Sequence, residues 1–67
     1  MNEKVTTETL IGEIVHNHPE ACDVLLEIGM HCLGCPASQM ESVGDAAMVH
    51  GYQPQEVVDR INAAIGA

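Results

Sequence analysis

Two cysteines stand three apart in the stretch Gly29-Met30-His31-Cys32-Leu33-Gly34-Cys35-Pro36-Ala37. Side chains at that spacing meet when a turn, or the first turn of a helix, brings them together, so the pair can close as a disulfide or hold one metal ion. Both outcomes proceed through thiolates. If Cys35 caps a helix opened by Pro36, the unpaired N–H groups and the helix dipole there favour its thiolate; Cys32 is the more exposed of the two if the loop points outward. His31 adjoins Cys32, where an imidazole can stabilise a thiolate, donate a proton or act as a third metal ligand. Gly34 lets the backbone turn tightly between the sulfurs, and Leu33 offers a packing or partner contact.

Other readings of these residues stand beside the redox one. Free cysteines in small helical domains often behave as small buried hydrophobes, although the Gly, His, Gly and Pro around this pair make a turn that packing alone does not require. A closed zinc site wants four ligands and an iron-sulfur cluster usually four cysteines, whereas the loop offers Cys32, Cys35 and His31. A homodimer would bring four loop cysteines together. Cys22, one position past Ala21 on an apolar stripe, reads as a half-buried small residue. His16 and His18 form an H-x-H pair, but His16 fits the end of a helix and His18 the turn before Pro19; His50, just before Gly51, fits another helix end. The acidic residues read as a solvated surface, and Met30 and Met40 as core or contact residues.

The elements that must position the loop are short. A chain of 67 residues supports one domain, spanning 1–67, and a small core. With no Trp, no Phe and one tyrosine, Tyr52, that core is aliphatic, which favours closely packed short helices. Residues 1–5 are mostly polar and expected to fray. Thr6 or Thr7 is the expected cap of a first helix bearing Leu10, Ile11, Ile14 and Val15 and ending near Asn17. Pro19 opens a second, with Ala21, Val24, Leu25 and Ile28 as its stripe and Gly29 as its stop. Pro36 opens a third, with Ala37 and Met40 expected to point inward. Ser42-Val43-Gly44-Asp45 resembles a capping box with Asp for Glu, leading through Ala46, Ala47 and Val49 to Gly51. A last helix from Pro54 is expected to bury Val57, Val58, Ile61, Ala64 and Ile65. No alternation long enough for a strand and no internal repeat is present, so the fold class is all-α, a compact domain of four to five short helices.

Ten acidic residues against Lys4 and Arg60 give a net charge of −8. Nucleic acid and anionic membrane surfaces are therefore unsuitable partners, since neither counterion release nor basic-patch attraction is available. No signal-peptide pattern opens the sequence and no apolar run has the length of a membrane span, which leaves the cytoplasm as the expected compartment. Three cysteines cannot all pair within one chain, and in a reducing compartment C-x-x-C more often binds metal or cycles redox state than braces a fold.

Ile11-Gly12-Glu13-Ile14-Val15, Pro19-Glu20-Ala21, Val24-Leu25-Leu26, the stretch from Gly29 to Ala37, Ala46-Ala47 and His50-Gly51 together resemble the DUF1858 family, also described as a redox disulfide domain associated with hybrid-cluster proteins. The resemblance covers nearly the whole chain, and His31-Cys32-Leu33-Gly34-Cys35-Pro36-Ala37 is its most specific part. It implies a compact helical fold and a thiol–disulfide role beside proteins of anaerobic or nitrosative-stress metabolism, with Cys32 and Cys35 as the family's cysteine pair. A more distant similarity is to the N-terminal domain of iron-sulfur cluster repair proteins, whose cysteines are adjacent. The expected function is a small redox or electron-transfer accessory that acts with a larger redox protein such as a hybrid-cluster-type protein. It would need no cofactor, use His31, Cys32 and Cys35, and exist as monomer or homodimer. The alternatives are a zinc or iron-sulfur module on the same three residues and a non-catalytic interaction domain. An independent enzyme with its own pocket is not expected from so small a core.

Overall fold

Three elements open on proline, whose fixed φ suits the first helical position and whose missing N–H is not needed there. They are a 3-10 turn at Pro19–Ala21, which runs directly into α2 (Cys22–Glu27), then α3 (Pro36–Gln39), and α5 (Pro54–Ile65). α1 (Ile11–Asn17) precedes them, and α4 (Val43–Val49) lies between α3 and α5. This computed structural model describes residues 4–30 and 36–67. Among the described residues no strand forms; an isolated antiparallel bridge joins Leu10 to Ser42. The chain is all-α, as its sequence implies.

That bridge explains where the first helix begins. Thr6 and Thr7 do not cap it: Leu10 is the N-cap residue and supplies no side-chain bond. The threonines instead form a turn of their own, in which the Thr9 N–H donates to the Thr6 carbonyl and the Thr6 N–H to Thr9 Oγ1. Carbonyls of this turn then serve another helix, since the Val43 and Gly44 N–H groups at the start of α4 donate to Thr9 and Thr7, both at 2.8 Å. In return the Ile11 N–H of α1 donates to the Glu41 carbonyl at 2.8 Å. Two helix starts thus satisfy each other's orphan donors across the bridge. The cap expected at Ser42 is present, its hydroxyl accepting from the Asp45 N–H at 3.1 Å.

α2 and α4 stop by the same device. At α2 the Gly29 N–H donates to Leu26 and the Met30 N–H to Leu25, with Gly29 at φ +103°. At α4 the Gly51 N–H donates to Met48 and the Tyr52 N–H to Ala47, with Gly51 at φ +81°. These are Schellman ends, which need a left-handed residue and therefore glycine. The usual accompanying hydrophobic contact has its participants buried at α2, where Leu25 and Met30 are both in the core.

Among the described residues the core is one aliphatic cluster drawn from α1, the Pro19–Ala21 turn, α2, α4 and α5. Val57, Val58, Ile61 and Ile65 give α5 its inward stripe, and Ile11, Ile14, Leu25 and Val43 are wholly enclosed opposite it. Truncating one such isoleucine to alanine costs about 2–5 kcal/mol. Four expectations about burial need correction. Val5 is buried rather than frayed, held by paired bonds with Asn62: its N–H donates to Oδ1 at 2.7 Å and its carbonyl accepts from Nδ2 at 3.1 Å. Ala37 and Met40 face solvent, because four residues of helix resting on α1 present only one side to it. Ala64 is exposed beside the buried Ile65, at the edge of the α5 stripe.

Candidate functional site

His31, Cys32 and Cys35, with Leu33 and Gly34, lie outside the described residues, as does the expected cap at Cys35. Met30 precedes them and α3 follows them. At the entry, Met30 is buried and hydrogen-bonded into the Schellman end of α2. At the exit, α3 begins at the residue after Cys35 and is fixed to α1. The two helices meet at Gly12: a methyl group there would lie 3.0 Å from both the Cβ and the carbonyl oxygen of Gln39, tighter than nine in ten real contacts of a Cβ. A backbone atom cannot swing aside as a side chain can, so the missing side chain is what lets α3 sit down on α1.

The entry has a neighbour that sequence reasoning passes over. A Cβ at Gly29 would come within 3.2 Å of His50 Nδ1, so the imidazole lies against the turn that leads into the cysteine stretch. His50 does occupy the end of α4, as its place before Gly51 implies. Its approach to Gly29 comes from tertiary packing and leaves no signal in local spacing.

The remaining candidates separate cleanly. Cys22 is a free, half-buried thiol at the first residue of α2. Burial pushes its pKa up, and the carboxylates of Asp23 and Glu20 push in the same direction. The helix N-terminus would favour a thiolate there, but those influences prevail, and Cys22 stays a protonated, weakly nucleophilic thiol at neutral pH. His16 is exposed in the last turn of α1. His18 places Nδ1 4.0 Å from a carboxylate oxygen of Glu20. Among the described residues no three His, Cys, Asp or Glu side chains converge as a metal site would require. A metal site of that size within one chain would therefore have to draw on at least one of Glu3, His31, Cys32 and Cys35, which lie outside those residues.

α2 is also tied to α5 by Arg60, which donates to Glu27 Oε1 at 2.8 Å. Both side chains are well exposed, so the pair orients more than it stabilises. Among the described residues no helix is long and apolar enough to cross a membrane. The sequence model of a family described as a domain of unknown function, DUF1858, matches residues 5–58. That span runs from the buried Val5 into α5 and includes both loop cysteines. Neither a curated protein nor a solved structure matches the chain.

Proposed function

We propose, since this chain belongs to the DUF1858 family, that it is a thiol–disulfide accessory in which Cys32 and Cys35 cycle between dithiol and disulfide. The observation that carries the reading is a C-x-x-C pair strung between two fixed ends, the buried Met30 and the α3 helix seated on Gly12. Only two residues separate the cysteines, so joining their sulfurs carries a small loop-closure cost. The raised pKa of Cys22 supports the assignment, because it keeps the third thiol from competing.

In the forward direction one loop thiolate attacks a sulfur of the partner's disulfide. A mixed disulfide forms and the partner's other sulfur leaves as thiolate. The second loop cysteine, deprotonated, then attacks the loop sulfur, closing Cys32–Cys35 and releasing the partner as dithiol. Two electrons pass to the partner, and the two protons of the loop thiols pass through solvent to the partner's sulfurs. His31, beside Cys32, is the proton donor and acceptor for these steps. A larger redox protein in the cytoplasm, of the hybrid-cluster type, is the partner this reading favours.

The test is anaerobic purification, metal analysis and thiol counting in glutathione buffers of known potential. Metal-free protein that reversibly gains and loses two thiols, and loses this behaviour on Cys32→Ser or Cys35→Ser while keeping its helical circular dichroism, is the expected result. Stoichiometric zinc or iron, with thiols shielded until a chelator is added, would replace the proposal with a ligand site. Unchanged partner binding by a chain with both loop cysteines replaced by alanine, with no thiol cycling in the parent, would leave an interaction domain.

A further inference from the structure

An open groove of about 470 Å³ lies between α1 and α3. Leu10 and Met40 form its apolar walls and are 40% and 76% exposed, and Gly12 and Gln39, packed against each other, complete the lining between them. Glu13 is the one acidic or basic side chain in the lining apart from His16, and Glu8 and Glu41 flank the two walls in sequence. We infer that this groove docks an apolar side chain displayed on a basic surface of the protein with which the cysteine pair exchanges electrons.

Three observations fix the occupant. A second copy of this chain is disfavoured, since each copy carries a net charge of −8 and brings its own carboxylates to the contact. A small molecule wants an enclosed cavity with converging polar groups, and this groove is open to solvent along its length. A basic protein surface meets both features, the exposed hydrophobes by burial and the acidic surroundings by attraction. Met48 and Val49 on α4 are also exposed, yet they line no part of this groove.

The groove is also in the right place. α3 has four residues, a length of about 6 Å, and begins at the residue after Cys35. Met40 follows Cys35 by five positions, four of them in α3, so a partner side chain seated against Met40 is close to the cysteine pair along the chain.

The identity of the occupant rests on the redox reading, and the test separates the two. The ¹⁵N-labelled chain is titrated with a short amidated peptide carrying a leucine pair between lysines, and with the same peptide carrying glutamates. Amide shifts centred on Leu10, Gly12, Gln39 and Met40 are expected with the lysine peptide alone. Affinity should fall about tenfold in Met40→Ser, whose exposed position leaves the fold intact. The Cys32→Ser/Cys35→Ser chain should bind the peptide as the parent does, so a failure of thiol cycling and a failure of docking are read independently. Equal binding of the glutamate peptide would overturn the inference. So would shifts spread over the whole acidic surface and unmoved by Met40→Ser, or no shifts at millimolar peptide.

Discussion

Of the three thiols, Cys22 is set apart by its surroundings rather than by its sequence spacing. Burial and the carboxylates of Asp23 and Glu20 raise its pKa, so the folded chain holds that proton to higher pH than the unfolded chain does. In a Cys32→Ser/Cys35→Ser background, alkylation of Cys22 by iodoacetamide at pH 8 should run several-fold slower folded than in urea, and should quicken in Asp23→Asn. Equal rates in the two states would show that the environment has no hold on the thiol. The sign for stability follows: with a folded pKa above the unfolded one, nothing is lost below the unfolded thiol's pKa, and stability falls as pH rises from there toward the folded value. Gly29 carries the other residue-scale prediction. Alanine there must adopt φ +103° and also meets His50 at 3.2 Å, so Gly29→Ala should cost about 1–3 kcal/mol in urea denaturation. In a His50→Ala background only the steric share should be recovered. Full recovery would mean that crowding alone, and not the left-handed backbone, makes glycine necessary.

At the scale of elements, the seating of α3 on α1 decides how the cysteine stretch leaves the fold. Gly12→Ala places a methyl group 3.0 Å from the Gln39 carbonyl oxygen, so α3 has to give by a few tenths of an ångström. We expect a destabilisation of about 1–3 kcal/mol and, because α3 starts next to Cys35, a changed midpoint for thiol oxidation in glutathione buffers. A variant that loses stability while its midpoint stays at the parent value would separate the two elements from the cysteine chemistry. The punctuation of these elements was plain in the sequence. Gly29, Gly51, Pro36 and Pro54 act where their backbone preferences demand, and Ser42 with Asp45 caps as spaced. What could not be read was any choice resolved by distant partners. Thr6 and Thr7 suit a cap or a local turn equally, and only the N–H groups of α4 decide for the turn. Val5 looks like a lone apolar residue in a polar tail until Asn62, 57 positions away, pairs with its backbone. Four residues of α3 are too few to show a period, so the outward side of Ala37 and Met40 had no signature. The cysteines were legible by type and spacing, but the approach of His50 to their entry turn was not.

For the molecule as a whole, an aliphatic core must hold together a surface that repels itself. The net charge is −8 and the longest dimension is 28 Å. At about 0.01 M ionic strength the screening length is about 30 Å, so every carboxylate feels every other across the whole molecule. At about 0.15 M it falls to about 8 Å, and only neighbours still interact. A domain of this size has only a few kcal/mol of net stability, so relief of that repulsion should register. The urea midpoint should therefore rise with sodium chloride over this range and level off beyond it. Docking on a basic partner should respond with the opposite sign, because there the same charges attract. Measured side by side, stability rising and lysine-peptide affinity falling with salt would show one acidic surface acting in both roles. A midpoint indifferent to salt would mean that the carboxylates are spaced too widely to strain the fold. Affinity indifferent to salt would leave the groove between α1 and α3 binding by its hydrophobes alone, with no reason to prefer a basic surface.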